Sequence, residues 1–394
     1  MLAAMALRIE ELASQKFQPV RYGLGAWTEH VFFACDLVAD LKPRLLVELG
    51  TDRGESYFAF CQATLENQTG TRCFAIDHWR GDSHAGSYDD TTFEDVTEHN
   101  RERYSHFSTL MRTTFDEALD HFARESIDLL HIDGHHSEAA VRRDLESWLP
   151  KVRPGGLVLM HDIAVRRRDF GVWKVWDEIA PRGRFWSFTQ PPGLGVWEKP
   201  PARAQTALVE ALFAPPNESQ TALAKYYRER SAELQRRIAR QWEDGSIRFS
   251  PLARETVVQI FWTSDGSYSE ENAIEFRVGH GAWKEVDLRV PAELPVSRLR
   301  IDFYSALTSV EISTIELRDE IGRSIYQAKN SAAFGALVLA GDVRPRSLDP
   351  FRIQITGVDP QLHLPAFEPP VVNPILRMRL RVTLAGGDAG PERI

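Results

Sequence analysis

Val47-Glu48-Leu49-Gly50-Thr51-Asp52-Arg53-Gly54-Glu55-Ser56 joins an apolar run, Leu45 to Val47, to a helix-like stretch, Ser56 to Leu65. Glycines stand where a chain leaving a strand must turn tightly into a helix. Lacking Cβ atoms, they let a ligand come close to the backbone. Amides at the start of the following helix then face the crevice at the carboxyl end of the strand. A dinucleotide fingerprint would read Gly-x-Gly-x-x-Gly. Here the spacing is Gly-x-x-x-Gly, position 52 is Asp, and Glu48 precedes the turn. A carboxylate beside the turn suits a cationic, phosphate-free ligand better than a pyrophosphate. This disfavours an NAD-linked oxidoreductase.

Working outward, strand-like and helix-like segments alternate from about Arg44 to Glu198. Cys73 to Ile76 is a second strand ending at Asp77, and Ser108 to Met111 is a third. Asp116 to Glu125 reads as helical. Ile127 to Ile132 is a fourth strand ending at Asp133. Glu138 to Leu149 is an amphipathic helix, and Pro154-Gly155-Gly156 turns into a fifth strand, Leu157 to Met160, which ends at His161-Asp162. Leu194 to Trp197 reads as a last strand. Apolar strands separated by helices indicate a doubly wound, mostly parallel α/β sheet covered on both faces.

The strand ends carry the chemistry. Asp77 can accept hydrogen bonds from both ribose hydroxyls of an adenosine moiety. The rings of His78 and Trp79 can pack on its base. S-adenosylmethionine, with its sulfonium and amino group, is a cationic ligand that suits the turn. The competing reading of Asp77 is a strand-end acid that caps a loop. Asp133, His135, His136, His161 and Asp162 close the fourth and fifth strands, where an open α/β sheet binds its ligands. Methyl transfer to oxygen is an in-line displacement, so positioning dominates. A hydroxyl is a poor nucleophile and needs a base or a metal ion. His135 or His136 is the candidate base. Asp133, His161 and Asp162 are the candidate ligands of a divalent ion. The imidazole favours manganese, iron or zinc over magnesium. The plainer readings are that Asp133 orients a loop and that His161 is a satisfied histidine beside the sheet. Trp79 to Tyr88 is a polar, glycine-containing loop placed to close over the site, with a mobile surface loop the competing reading. Trp27, His30 and Phe33 read as packing residues on a helix before the first strand, with a lid over the acceptor the alternative.

The 394 residues suggest more than one domain. A net charge of -9 argues against nucleic-acid binding through overall charge. No apolar run reaches the ~18 residues of a membrane span, and Met1 to Phe17 reads as a short amphipathic helix rather than a signal peptide. The expected location is cytoplasmic. Cys35, Cys61 and Cys73 are too scattered for a disulfide framework or zinc motif. Thr206 to Trp242 is helical in composition, broken at Pro215-Pro216. Its second half, 219–242, reads as a solvated linker or an oligomer contact. From Ile247 short alternating segments follow: Val257 to Trp262, Ala273 to Val278, Glu285 to Val290, Arg298 to Tyr304 and Ser309 to Leu317. They indicate an all-β, sandwich-like module. The expected domains are 1–200, a helical linker 201–245, and 246–394. In the module, Trp262, Tyr268 and Trp283 read as core packing, with sugar stacking the alternative.

Val47 to Gly50, Ala75 to Asp82, Leu130 to His136, and Pro154-Gly155-Gly156 through His161-Asp162 resemble class I, Rossmann-like methyltransferases of the broad "methyltransferase 24" type. Phe170-Gly171-Val172-Trp173 and Gly193 to Val196 resemble a subgroup of bacterial cell-surface polysaccharide clusters, O-antigen included. The resemblance spans roughly residues 20–200. It implies S-adenosylmethionine binding through Glu48, Gly50, Thr51, Gly54, Ser56, Asp77, His78, Trp79 and Asp133. It implies a sugar or polysaccharide hydroxyl as acceptor, glycosyltransferases of the same pathway as partners, and a place at the inner membrane through them. Asp133 and Asp162 match the relatives' magnesium-binding carboxylates. His161 departs from their acidic pair, and His135 replaces an acid used as base. The competing reading is a non-catalytic glycan- or partner-binding assembly protein with a vestigial methyltransferase fold.

Overall fold

A computed structural model describes residues 7–82, 86–87, 90–166, 170–189, 192–202, 206–215, 218–243, 255–269, 272–279, 281–292, 294–304 and 308–384. The chain divides into two compact units, 1–236 and 237–394.

The N-terminal unit is built on seven strands: β1 (Leu45–Leu49), β2 (Arg72–Asp77), β3 (Ser108–Arg112), β4 (Ile127–Ile132), β5 (Val152–His161), β6 (Phe185–Phe188) and β7 (Leu194–Glu198). Their order is β3-β2-β1-β4-β5-β7-β6. The first five run parallel, and β7 is antiparallel to both β5 and β6. Strand order therefore reverses at β1, which opens a crevice between the carboxyl ends of β1 and β4. β1 and β4 are buried almost throughout, as strands covered on both faces must be. On one face Val47, Leu49, Leu130, Ile132, Val158 and Met160 pack with α4 (Glu138–Trp148) and α5 (Val172–Ile179) in one core. α1 (Val31–Leu41) and α2 (Glu55–Glu66) pack together, with α3 (Asp90–Arg103) following β2 in the chain.

Several expectations change here. Residues 7–17 form two 3-10 turns, Ile9–Glu11 and Ala13–Gln15, rather than an amphipathic helix. The predicted helix 116–125 is only Phe115–Ala118 plus a 3-10 turn. A capping box between Thr114 and Glu117 starts it there. β6 was not anticipated. The segment 206–242 forms α6 (Ala207–Phe213) and α7 (Glu218–Glu243). Much of α7 belongs to the N-terminal unit: Leu223 and Tyr227 are buried, and the Tyr227 hydroxyl donates to buried Asp36 at 3.0 Å. Ser231 donates to the Glu29 carbonyl. Among the described residues no helix is long and apolar enough to cross a membrane.

The C-terminal unit is antiparallel throughout: β8 (Glu255–Thr263), β9 (Ala273–Gly279), β10 (Trp283–Arg289), β11 (Arg298–Tyr304), β12 (Thr308–Arg318), β13 (Ser324–Ala328), β14 (Val338–Leu348), β15 (Phe351–His363) and β16 (Ile375–Leu384). The order is β9-β8-β11-β15-β12-β16-β10, with β13 on β12 and β14 along β15. Alternate residues such as Ile260, Ile301, Val310 and Leu380 point into one core. In β12 the buried set moves from Ile312 to Ile315, and a bulge at that place accounts for the change of parity. β15 pairs with β12 at Phe351–Gln354 and with β11 at Gln361–His363, so one long strand serves both groups. Trp262 lies in the core, while the Trp283 ring is covered by the Arg379 and Arg381 guanidiniums.

Candidate active site

Glu48 is fully buried on the α2 side of β1. Its Oε2 lies 2.8 Å from His131 Nδ1, and Trp27 Nε1 donates to His131 Nε2 at 3.2 Å. A ring that accepts at Nε2 holds its proton on Nδ1, so His131 donates to Glu48. Burial pushes the Glu48 carboxyl up, against the pull of His131 and Ser56. The chain Trp27–His131–Glu48 ties the segment before α1 to the underside of the first turn.

That turn is shaped by Gly50, at φ +83°, and Gly54, at φ +77°. The Gly50 amide continues the ladder to the Ile76 carbonyl, while Asp133 N donates to the Leu49 carbonyl at 2.8 Å. The two strand ends thus meet at Gly50. Asp77 holds the turn from the other side: Oδ2 accepts from the amides of Thr51 (2.9 Å) and Asp52 (3.1 Å), and Oδ1 from Trp79 N (2.7 Å). Each oxygen has two lone pairs, so Oδ1 keeps acceptor capacity for a ligand hydroxyl. Trp79 is buried against Phe93 and its indole N–H donates to the Asp52 carbonyl. It braces the turn and does not face the crevice.

At the ends of β4 and β5 four side chains interlock. His136 Nε2 is 2.9 Å from Asp162 Oδ2 and 3.6 Å from Asp133 Oδ1. His161 Nδ1 is 3.2 Å from Asp133 Oδ1 and 3.4 Å from Asp162 Oδ2. Burial alone would push both carboxyls up and both imidazoles down. The mutual charges win. Asp133 and Asp162 are held well below the usual carboxylate range, His136 is pushed up to about 10, and His161 is also raised. Two carboxylates thus face two imidazoliums, and a divalent ion would bring the same two positive charges. Asp133, His136 and Asp162 each offer one ligand atom, all within 4.8 Å of one another. His136 thus completes the set with Asp133 and Asp162, in place of the expected His161. Phe170 stacks on the His136 ring at 4.6 Å, and Gly171 N donates to the His136 carbonyl.

These groups border one cavity of about 470 Å³, within the range of small-molecule sites. Gly50, Thr51, Ser56, Asp77, His78, Asp133, His135, His136, His161 and Asp162 line it, whereas Glu48, Gly54 and Trp79 support it from behind. His135 Nδ1 accepts from Ser137 N at 3.2 Å, which leaves the proton of the neutral ring on Nε2. In that tautomer Nε2 is a donor and Nδ1 is engaged by Ser137. Residues 83–85 and 88 of the anticipated loop lie outside the described residues.

Trp27 lines the cavity too, and so do Glu55, Phe115 and Asp144, which the sequence did not single out. Trp27 was taken as packing, and it does both. Asp144 sits on α4, and its spacing alone marks it as one more helical acid. Burial pushes its carboxyl up to about 7, with Asp116 adding to the shift and Arg143 opposing it. Unfolded, it would ionise near pH ~4. The folded state therefore loses stability progressively as pH rises from about 4 to 7, and the loss persists above. Asp144→Asn is expected to stabilise the ligand-free protein by about 1–2 kcal/mol at pH 8 and by little at pH 4. Denaturant titrations at the two pH values check this; an equal gain at both would contradict it.

Residues 47–163 match a family model described as a methyltransferase domain. An uncharacterized protein of Sinorhizobium fredii is 45% identical over 189 residues, 48% of this chain and 21% of that protein. The matched stretch thus spans about a fifth of that relative's length. A crystal structure of a putative caffeoyl-CoA O-methyltransferase from Staphylococcus aureus aligns at 14% identity and a TM-score of 0.34, over 43% of this chain and 82% of that one. The O-methyltransferase TomG from Streptomyces achromogenes, involved in tomaymycin synthesis and solved with S-adenosylmethionine, aligns at 16% identity and a TM-score of 0.33, over 44% and 87%. Within the N-terminal unit, residues 47–163 are the stretch that matches the methyltransferase domain family.

Proposed function

We propose that the N-terminal unit is an S-adenosylmethionine-dependent O-methyltransferase acting on a sugar hydroxyl of a cell-surface polysaccharide or glycolipid. The observation that carries this is convergence: the glycine turn, Asp77 and the Asp133–His136–His161–Asp162 cluster all border one cavity. The cofactor fits the residues present. The turn lets a ligand approach the backbone, Asp77 keeps acceptor capacity for a ribose hydroxyl, and the amides at the start of α2, beside Ser56, suit a carboxylate. The lining is rich in carboxylates, as a sulfonium ligand requires.

A divalent ion fits the cluster as well, since two carboxylates and an imidazole suit manganese, iron or zinc. Asp133, His136 and Asp162 would hold it, with His161 behind them. It would lower the pKa of the acceptor hydroxyl. The chain's own task is orientation. The acceptor oxygen must lie opposite the sulfur along the carbon–sulfur bond. As the oxygen–carbon bond forms, the carbon–sulfur bond breaks. The hydroxyl proton passes to solvent water. The products are a methyl ether and S-adenosylhomocysteine.

The sugar acceptor rests on the resemblance of Phe170 to Trp173 and Gly193 to Val196 to enzymes of polysaccharide clusters. The full chain, cofactor labelled in the methyl group, and polysaccharide, glycolipid and catechol acceptors test it. Label is expected in the sugar fractions, lost on chelation and restored by manganese. Label in catechol alone would overturn the sugar acceptor. Cofactor binding without any transfer would favour a non-catalytic assembly role.

A further inference from the structure

Glu55 is the first residue of α2, yet it is buried and lines the cavity. Its Oε1 accepts from the Gly23 amide, from the Thr28 hydroxyl, and more distantly from Leu24 N at 3.4 Å. Arg53 Nη1 donates to the Leu24 carbonyl at 3.2 Å, and Arg21 Nε donates to the Arg53 carbonyl. Residues 21–28 are thus strapped across the mouth of the first turn, and Leu24, Gly25 and Trp27 form part of the cavity wall. The second oxygen of Glu55, Oε2, is buried and closes no hydrogen bond of good geometry, although the Gly25 amide near the carboxyl also favours its charged form. It lies 3.5 Å from where a Cβ on Gly25 would stand.

A buried, unpartnered carboxylate oxygen is costly unless a ligand satisfies it. Burial pushes the Glu55 carboxyl up to about 7, which is the condition that a bound cation relieves. Its place at the start of α2 decides which part of the cofactor it meets. The helix amides favour the carboxylate of the amino-acid end. Glu55, which would repel that carboxylate, complements the ammonium beside it.

We infer that Glu55 is a positioning residue that binds the cofactor's α-ammonium through Oε2 while holding the 21–28 strap through Oε1. The reading rests on the cofactor assignment above.

Calorimetry on the full chain with two ligands tests this. S-adenosylhomocysteine carries the ammonium and lacks the sulfonium charge, and 5′-methylthioadenosine lacks the amino-acid end. Glu55→Gln keeps the shape and removes the charge. It is expected to weaken S-adenosylhomocysteine about tenfold or more, as for a lost charge-assisted hydrogen bond, and to leave methylthioadenosine within about twofold. Glu55→Asp should recover part of the loss. Thr28→Val removes a strap contact without touching the charge and should affect both ligands alike. Equal weakening of both ligands by Glu55→Gln would overturn the ammonium contact in favour of a strap-only role, and so would no effect on either. If the unaltered protein binds neither ligand, the cofactor assignment itself fails, a result distinct from any of these.

Discussion

Gly50→Ala is expected to abolish cofactor binding and to destabilise the N-terminal unit by about 2–4 kcal/mol. Two effects add. The backbone at Gly50 is left-handed, at φ +83°, where a side chain is strained. A Cβ there would also stand 2.1 Å from the Asp133 carbonyl oxygen and 2.6 Å from its carbon. No rotamer relieves a contact with backbone, so β4 or the turn must move. Either shift carries Asp133 and the Thr51 amide away from their places. Gly70→Ala is the control: φ is +72° there too, but nothing lies within 4 Å. It should cost only about 1 kcal/mol and leave binding intact. Denaturant unfolding and calorimetry on both variants make the comparison. Similar losses would mean that backbone strain, rather than the junction of β1 and β4, is what matters.

Asp133→Asn is expected to slow methyl transfer by about a hundredfold to a thousandfold and to deplete bound metal. The variant is nearly isosteric but removes one of the two negative charges that face His136 and His161. Two imidazoliums would then share Asp162, so one must release its proton or remain unbalanced. Breaking a buried ion pair on one side costs about 3–5 kcal/mol in a dry interior, and the cavity's access to solvent reduces that here. Single-turnover rates and elemental analysis of the purified variant provide the readouts. A rate within a few-fold of normal would remove Asp133 from the chemistry.

The α/β half was legible because its signals are local. Continuous apolar strands, the Gly-x-x-x-Gly turn and acids at strand ends fall in the order that the topology requires. What escaped was set by partners distant in sequence. The stretch 116–125 begins where Thr114 and Glu117 form a capping box, but after Ala118 it tightens into a 3-10 turn and ends at extended Phe122. α7 reads as a solvated helix from its Lys, Arg and Glu content, but Tyr227 finds Asp36 some 190 positions upstream. Of the last four strands, Pro345 and Pro360 interrupt two, β14 and β15, whereas the alternation of arginines with apolar residues in β16 is itself a strand signal. Pro345 is tolerated because β14 pairs on one side only, with β15.

The candidate site shows the same division. Spacing brought out Gly50, Asp77, Asp133, His136, His161 and Asp162, because strand ends must converge in an open sheet. Spacing could not tell which residues face the cavity. Glu48 and Trp79 lie behind it, engaged with His131 and with Asp52. Glu55 follows a glycine and looks like an ordinary acid in a first helical turn. Only the strap from 21–28 makes it a buried group.

The most direct test is a calorimetric titration of the full chain with S-adenosylhomocysteine, repeated on Gly50→Ala. The expected result is one site per chain with micromolar affinity, lost in the variant. No heat at millimolar ligand, or the same binding in Gly50→Ala, would contradict the assignment of this cavity to the cofactor.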